Sequence, residues 1–196
     1  MTPCFHMSHR VEQRCVHGAC KGMKDFAILD FTVRRAQIED ASAIARVQVA
    51  SWKTTYAGIV PAAYLASLNT EARTERWQEQ FDSGLTLIFV AEDRDGVFGF
   101  VSGGRLREPI DDYEAELYAI YLLQHKQGRG AGKRLFDTLV AGLRAAGFRS
   151  LLVWVLEQNP AVDFYAHIGG SRVTQKPIEI GGAQLREVAL GWSLES

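Results

Sequence analysis

The stretch QHKQGRGAGKRLF, residues 124–136, carries residue types that together can bind a phosphate group. It has glycine at positions 128, 130 and 132, and its basic side chains are Lys126, Arg129, Lys133 and Arg134. Glycine lets the backbone approach a ligand closely, and the free N–H groups at the start of a helix bind phosphate oxygens. An apolar run precedes the stretch and a helix-like pattern follows it. The pattern therefore predicts an anion-binding loop between a strand and a helix.

Two common phosphate-binding loops do not fit this stretch. A P-loop needs G-x4-G-K-[ST], but Gln127 stands five residues before Gly132 and Arg134 replaces the Ser or Thr. A dinucleotide-binding fingerprint needs G-x-G-x-x-G in the opening βαβ unit, but here the spacing after Gly130 differs and the loop comes late in the chain. A structural turn without a ligand remains an alternative, which the basic neighbours disfavour.

The loop and its surroundings resemble the GNAT superfamily of N-acetyltransferases. QGRGAG is similar to that family's Q/R-x-x-G-x-G/A loop, with Gln127, Gly130 and Gly132 at the signature positions. The segment Ile120-Tyr121-Leu122 is similar to the family's I-Y-V strand. Further along, EQNPAVDFYAHIGG resembles the motif ENxxAxxFYxxxGF, and the matching residues are Asn159, Ala161, Phe164, Tyr165 and Gly169.

The chain departs from the family pattern at three positions. Gln124 stands where proline is common, Gln158 lies between the Glu and Asn of the second motif, and Gly170 replaces phenylalanine. None of these changes removes a group that the chemistry needs. The spacing of the motifs and the order of elements from about Phe31 to Trp192 also suit the family, so the chain is identified as a GNAT protein. The segment SWKTTYAGIVP resembles one seen in GNAT proteins of the small-molecule type.

This resemblance implies acetyl-CoA, or a close acyl-CoA, as the cosubstrate, without a metal. The pyrophosphate would lie over the N–H groups from Gly128 to Lys133 at the helix N-terminus. The pantetheine arm would fill a gap between the strand with Ile120 and the strand LLVWVL. The expected cosubstrate-binding residues are Ile120, Tyr121, Leu122, Leu123, Gln127, Gly128, Arg129, Gly130, Ala131, Gly132, Lys133, Asn159, Phe164 and Tyr165.

The implied mechanism is direct attack of a neutral amine on the thioester. The backbone N–H of Leu122 would stabilise the developing oxyanion. Tyr165 would act as the general acid that protonates the leaving thiolate, the alternative being an aromatic side chain packed beside Phe164. Asn159 would bind the pantetheine arm or order a water, or cap a helix. No cysteine lies near either motif, so no covalent acyl-enzyme is expected.

Glu116 is the candidate general base. Strand alternation would place it on the face of Tyr118, Ile120 and Leu122, next to the thioester site. From there it could take the amine proton through a water molecule. The alternative is a solvated glutamate near the end of a strand.

Acceptor recognition is expected from SWKTTYAGIV and from the donor strand. Trp52, Tyr56 and Tyr118 are the candidate substrate-binding residues, although aromatic residues at helical spacing also form cores. The acidic segment EPIDDYEAE can attract a cationic amine, or can be a solvated loop. The predicted function is N-acetylation of a small primary amine. The alternatives are a protein N-terminal or lysine acetyltransferase and a regulatory module that binds CoA without catalysis.

The pattern of strands and helices supports an α/β fold. The predicted order is β-α-α-(α)-β-β-β-α-β-α-β-β, which gives a mixed, mostly antiparallel sheet with helices on both faces. A strand is expected over LDFTVRRA, helix caps at Asp40 or Ser42 and at Thr70, and a helix stop at Gly84.

Composition limits the classes of partner. The chain has 196 residues, 47% of them hydrophobic, and a net charge of −1. Neither nucleic acid nor a membrane is therefore expected as a partner. Similar proteins often form dimers, so a homodimer with a contribution from Trp192 is considered.

All three cysteines lie in the first 20 residues, with three of the five histidines. They lack the paired C-x2-C spacing of strong zinc sites, so metal binding remains only an alternative. We expect residues 1–30 to be a disordered extension and residues 31–196 to form the GNAT domain. The absence of cysteine after Cys20 indicates a cytoplasmic protein.

Overall fold

Seven strands, five α-helices and two short 3-10 helices, Ile38–Asp40 and Gln124–Lys126, follow one another in residues 30–195, the part of the chain that the structure, a computed structural model, describes. The strands are β1 Thr32–Arg35, β2 Leu87–Asp93, β3 Gly96–Arg105, β4 Ala115–Leu122, β5 Ser150–Leu156, β6 Ser171–Ile180 and β7 Ala183–Ser193. The helices are α1 Ala41–Thr55, α2 Ala62–Ala66, α3 Thr70–Ser83, α4 Ala131–Ala145 and α5 Ala161–His167. Their order is the predicted one. The expectations for residues 1–29, including the cysteine and histidine cluster, lie outside the described residues.

The strands form a single sheet in the order β1-β2-β3-β4-β5-β7-β6. Neighbouring strands are antiparallel except β4 and β5, which are parallel and joined through α4. Helices α4 and α5 cover one face, and α1 and α3 cover the other. The predicted mixed, mostly antiparallel sheet with helices on both faces is confirmed.

Helix α4 is amphipathic, and its apolar stripe explains how the helix is held on the sheet. Leu135, Leu139 and Leu143 recur every four residues and are fully buried against the sheet. Strand β5 is a nearly continuous apolar run because both of its faces are covered. These two elements fix where the strand–loop–helix segment of residues 115–145 lies.

A β-bulge in β4 changes which side chains share a face. Ser102 pairs with Ala119 and Gly103 pairs with Leu117, so Tyr118 is an extra residue on β4. Leu117, Ile120 and Leu122 consequently all face the α4 side of the sheet. Glu116, the neighbour of Leu117, faces the α1 side. The expected shared face of Glu116 with Ile120 and Leu122 is therefore wrong, since alternation does not continue through a bulge.

Three local predictions differ from the structure. Strand β1 spans only four of the eight expected residues. The side chain that caps α3 is Asn69, whose Oδ1 accepts from the Ala72 N–H at 2.9 Å, rather than Thr70. The Asp40 carboxylate precedes α1 but does not cap it, because it accepts from Arg34 at 2.7 and 2.9 Å and from the Gln37 N–H at 2.8 Å. The expected stop at Gly84 is present, with φ of 62°.

None of the helices in residues 30–195 is both long and apolar enough to cross a membrane.

Candidate active site

Strands β4 and β5 separate soon after they meet. They pair at only three positions, where Ala115–Leu117 lies beside Leu151–Val153. On its other side β5 pairs with β7 along all seven of its residues. A gap therefore opens between the second half of β4 and the end of β5, as the sequence predicted.

The backbone N–H of Leu122 points towards this gap. The next residue, Leu123, donates its N–H to the carbonyl of Phe98 on β3 at 2.9 Å. Because successive N–H groups of a strand point to opposite sides, the Leu122 N–H is directed away from β3. The Leu122 carbonyl, on the same side, accepts from Ser51 Oγ and from Gln127 Nε2, both at 3.1 Å. These two bonds hold the end of β4 and leave its N–H facing the gap.

The glycine loop ends in an exposed helix N-terminus beside the gap. Gly128 and Gly130 have φ of 74° and 80°, a conformation that favours glycine. The Arg134 N–H donates to the Gly130 carbonyl at 3.0 Å, so the preceding N–H groups, from Ala131 to Lys133, lie in the first turn of α4 without helical partners. They form a cradle suited to an anion.

Gly132 lies where the start of α4, the end of β4 and α5 meet. A Cβ atom at this position would lie 3.4 Å from Leu122 Cδ1 and 3.6 Å from the Phe164 ring, which are ordinary van der Waals distances. The N-terminus of α4 is therefore in close contact with both the end of β4 and α5.

The basic residues around the loop have different surroundings. The Lys126 ammonium lies 2.6 Å from Asp93 and 2.9 Å from Asp95, and these bonds raise its pKa. Lys133 pairs with Asp137 at 2.6 Å, and the Arg134 guanidinium stacks over Phe31. Within the described residues, Arg129 alone of the four forms no ion pair or cation–π contact. Lys126 therefore ties the loop to the β2–β3 turn, which leaves Arg129 the freest to meet phosphate.

Tyr165 lies in the core below the gap. Its side chain is 5% exposed and packs between Phe164 and Trp192, with ring centroids at 5.4 and 6.0 Å. Burial, with a smaller contribution from Tyr56, raises the pKa of Tyr165 well above that of free tyrosine. The phenol therefore stays protonated at neutral pH, the state that a general acid needs.

Tyr56 approaches the gap from the opposite face of the sheet. Its hydroxyl lies 3.2 Å from that of Tyr121, and burial raises the pKa of both phenols. Asn159 lies beside Tyr56 and accepts the Ala161 N–H on Oδ1 at 2.9 Å. Tyr56 therefore packs beside Tyr121 on one face of the sheet, and Tyr165 lies in the buried cluster on the other face.

An aromatic wall formed by Trp52, Tyr56 and Tyr64 borders the gap on the α1 side. The Trp52 and Tyr56 ring centroids are 4.5 Å apart, and those of Trp52 and Tyr64 are 6.1 Å apart. This wall packs on Leu156 at the end of β5. The Trp52 Nε1 atom is buried and has no hydrogen-bond partner in residues 30–195. Two predicted acceptor residues, Trp52 and Tyr56, thus lie together.

The third predicted acceptor residue, Tyr118, lies with Arg107 and Glu116. The Arg107 guanidinium stacks 4.9 Å from the Tyr118 ring centroid, and the Tyr118 hydroxyl donates to the Arg105 carbonyl at 2.5 Å. The Glu116 side chain is 3% exposed and accepts from the backbone N–H, Nε and terminal nitrogen of Arg107. Its carboxylate is already occupied, which argues against Glu116 as a free base.

The acidic segment is largely neutralised. Glu108 binds Lys176 at 2.9 Å, and Glu114 accepts the Arg149 N–H at 2.7 Å. The segment therefore does not present the continuous negative surface that would attract a polycation. No group of three or more His, Cys, Asp or Glu side chains in the described region is arranged to hold a metal ion.

Comparison with known proteins identifies the family. The family model described as "Acetyltransferase (GNAT) family" matches residues 51–169. The chain belongs to the GNAT family. The uncharacterised N-acetyltransferase YuaI of Bacillus subtilis (strain 168) is 46% identical over 162 residues, which are 82% of this chain and 92% of YuaI. The protein is accordingly an acyl-CoA-dependent N-acetyltransferase, as the sequence predicted.

Solved structures share this GNAT fold. The PaiA N-acetyltransferase of Thermoplasma acidophilum, in complex with coenzyme A, superposes with a TM-score of 0.67 and 24% identity, over 83% of this chain and 98% of PaiA. YncA of Salmonella typhimurium, with its cofactor acetyl-CoA, gives a TM-score of 0.63 and 20% identity, over 85% of this chain and 95% of YncA.

Three charged residues near the predicted acceptor residues were not singled out in the sequence analysis: Arg107, Lys176 and Glu187. Glu187 on β7 lies opposite Leu156, and Lys176 on β6 lies opposite Glu187. The pattern of β7 contained a signal for Glu187. Leu185 and Glu187 share one face, and Val188 and Leu190 lie in the buried cluster under α4. A charged residue on a face that is otherwise apolar is a candidate for function.

Trp192 does not have the expected interface role in this GNAT protein. It is 9% exposed, its ring centroid lies 5.1 Å from that of Phe136, and its Nε1 donates to the Ile168 carbonyl at 3.1 Å. The side chain is used inside the domain, so it is not free to contact a second copy.

Proposed function

We propose that this protein transfers the acetyl group of acetyl-CoA to a primary amine of a small molecule by direct attack within a ternary complex. The observation that carries the proposal is the separated edge of β4, with its Leu122 N–H directed into the gap and the free N-terminus of α4 beside it. The bound coenzyme A of PaiA and acetyl-CoA of YncA support the choice of donor.

The donor would be held by backbone groups more than by charges. The pyrophosphate would accept from the N–H groups between Gly128 and Lys133, aided by Arg129. The pantetheine arm would lie in the gap along Ile120–Leu123, in contact with Asn159 and Phe164. Three of the four basic side chains around the loop already have partners, which is why the helix N-terminus supplies most of the anion binding.

Two groups of the chain would act on the reacting atoms. The Leu122 N–H would bind the thioester oxygen, on which negative charge develops during attack. Tyr165 would donate its phenolic proton to the thiolate of CoA as the C–S bond breaks. Burial keeps the pKa of Tyr165 high, so the proton is available over the whole neutral range.

The aromatic wall favours a small acceptor. Trp52, Tyr56 and Tyr64 pack together over the end of β5 and narrow the approach to the gap on that side. A lysine or N-terminus of a folded protein would need a wider groove.

A thiol-release assay tests this function. Acetyl-CoA would be offered with polyamines, amino acids, aminoglycosides and N-terminal peptides, with Tyr165→Phe beside the wild type. We expect turnover on one class of small amine and a large loss in the variant. Turnover on peptides alone would contradict the small-molecule acceptor and indicate that the acceptor is a protein. Tight CoA binding without turnover on any amine would favour a regulatory CoA-binding module.

Three further assignments belong to the same proposal. Residues 31–196 would form the catalytic domain, with residues 1–30 as an extension. A cytoplasmic location is supported by the absence of cysteine after Cys20. A homodimer would use a surface other than that of Trp192, and light scattering of the purified protein would test it.

A further inference from the structure

Direct attack requires a group that takes a proton from the acceptor amine. A primary amine is mostly protonated at neutral pH, and only its neutral form attacks the thioester. The carboxylate of Glu116, the base expected from the sequence, accepts three hydrogen bonds from Arg107. A proton acceptor has therefore to be sought elsewhere on the acceptor face.

Glu187 lies on that face, next to the aromatic wall. It is the cross-strand partner of Leu156, and side chains of directly opposed residues lie on the same face of a sheet. Leu156 in turn packs in the cluster that contains Tyr56 and Tyr121. The Arg107–Glu116 pair lies further along the same face, where Glu116 is opposite Leu152, and the charges of both residues act on Glu187.

Glu187 is partly buried, and its carboxylate is weakly bound. Its side chain is 13% exposed, and its nearest cation, the Lys176 ammonium, is 3.6 Å away. Lys176 is held more closely by Glu108, at 2.9 Å, and its ammonium stacks 4.3 Å from the Trp154 ring centroid. Glu187 can therefore exchange Lys176 for the ammonium of an acceptor without leaving Lys176 unpaired.

We propose that Glu187 binds the ammonium group of the acceptor and takes its proton, which makes Glu187 a catalytic residue of the transfer reaction. This inference rests on the proposed function and adds the general base to it. The acceptor class is a primary amine that enters the site as a cation.

The proton and electron movements balance. One N–H bond of the ammonium breaks and an O–H bond forms on Glu187, which frees the nitrogen lone pair. That pair forms the bond to the thioester carbon, and the C–S bond breaks with its electrons on sulfur. Sulfur takes a proton from Tyr165, which recovers one from the attacking nitrogen. Glu187 then releases its proton to water.

The charges around Glu187 determine its pH dependence. Burial raises the pKa of Glu187, with a further increase from Glu116, while Lys176 and Arg107 act in the opposite direction. Burial is the largest of these effects. A base works only when deprotonated, so activity is lost as the pH falls through this raised pKa. The midpoint of the acid limb in the pH profile of kcat/KM should accordingly lie above the ordinary pKa of a glutamate, about 4.3.

The test compares Glu187→Gln with Glu108→Gln. Both variants remove one carboxylate partner of Lys176, but only the first removes the proposed base. We expect Glu187→Gln to lower kcat/KM for the amine by roughly 100-fold or more and to abolish the acid limb. Glu108→Gln keeps the Glu187 carboxylate, so it should lower the rate far less than Glu187→Gln and should retain an acid limb. Melting temperature and acetyl-CoA binding of both variants would report correct folding.

Each outcome decides between the possibilities. If Glu187→Gln retains the wild-type rate and acid limb, Glu187 is not the base. The same conclusion follows if Glu108→Gln reduces the rate equally, because the loss then comes from the Lys176 contacts. If Glu187→Gln neither binds acetyl-CoA nor melts cooperatively, the variant is misfolded and Glu187→Asp replaces it in the test. The inference then stands only if Glu187→Asp, which keeps a carboxylate, retains the acid limb. Absence of turnover by the wild type on every amine contradicts the proposed function itself.

Discussion

The two edges of β5 are built in opposite ways. On one edge β5 pairs with β7 along its whole length, and on the other it pairs with β4 at three positions before the strands separate. Both edges belong to the same apolar strand in the middle of the same sheet. The paired edge joins two strands into a sheet, and the open edge leaves N–H groups for a ligand.

This contrast shows how the sheet can bind a long, flexible donor with few charged side chains. A strand whose N–H and C=O groups are not used by a neighbour offers a row of hydrogen-bonding groups at fixed spacing. The loop glycines place a helix N-terminus at the end of that row. Residues along the open edge should therefore affect the rate, and residues along the paired edge should affect stability.

The largest effect is expected from Tyr165→Phe, beneath the open edge. Loss of the general acid should lower kcat by about 10² to 10⁴. Tyr113, whose phenol packs on Gly191 of β7, provides a control on the paired edge, and Tyr113→Phe should keep the wild-type rate. Steady-state kinetics of both variants would measure this.

Because burial raises the pKa of Tyr165, the wild-type kcat should not fall as the pH is raised to about 10.

Removal of the Leu122 N–H should be nearly as damaging. Replacing Leu122 with its α-hydroxy analogue converts one amide to an ester and keeps the side chain. We expect kcat to fall by about 10² to 10³, as for loss of an oxyanion donor. The same change at Leu123 removes the bond to the Phe98 carbonyl and should cost about 1 kcal/mol of stability at an almost unchanged rate. If the ester variants at Leu122 and Leu123 have equal rates, the Leu122 N–H does not stabilise the oxyanion.

A smaller effect is expected from Gly130→Ala at the start of α4. Alanine in this left-handed conformation costs about 1 kcal/mol or more, and relief of that strain should distort the cradle of N–H groups. The KM for acetyl-CoA should rise about tenfold. Gly182→Ala, in the β6–β7 turn, introduces the same strain at φ of 83° and should leave this KM unchanged. Equal KM values for the two variants would contradict donor binding at the loop.

The smallest effect on the rate is expected from Glu116→Gln. Glu116 lies opposite Leu152, within the stretch where β4 and β5 are still paired. The substitution weakens the bonds to Arg107, most of whose side chain is exposed, and should lower the free energy of unfolding by about 1 kcal/mol. Chemical denaturation and amine kinetics would be measured together. If Glu116→Gln lowers the rate as much as Glu187→Gln, Glu116 would again be the candidate general base.

Much of the fold could be predicted because its signals are local. Apolar runs on either side of the turn DRDG predict β2 and β3, and leucines every four residues predict α4. The glycine motif predicts the loop between β4 and α4. The bulge at Tyr118 could not be predicted, because it arises from the register between β3 and β4. It changed the face assigned to Glu116 and with it the choice of base.

The donor site was easier to predict than the acceptor site for a similar reason. The expected donor residues lie in two short segments, residues 120–133 and 159–165, and each segment carries its own motif. The acceptor face combines Trp52, Arg107, Lys176 and Glu187, which come from four separate segments and meet only through sheet topology. The partners of Lys126 are also distant, since Asp93 and Asp95 lie more than 30 residues earlier.

The three-residue pairing of β4 with β5 also divides the sheet into two blocks, β1–β4 and β5–β7–β6. A donor bound in the gap would contact both blocks and stabilise their association. Binding to the folded state alone adds about 2.7 kcal/mol to stability when the ligand is present at 100 times its Kd. The concentration of acetyl-CoA in a cell would then affect the stability of the folded enzyme, and hence its lifetime, as well as its rate of turnover.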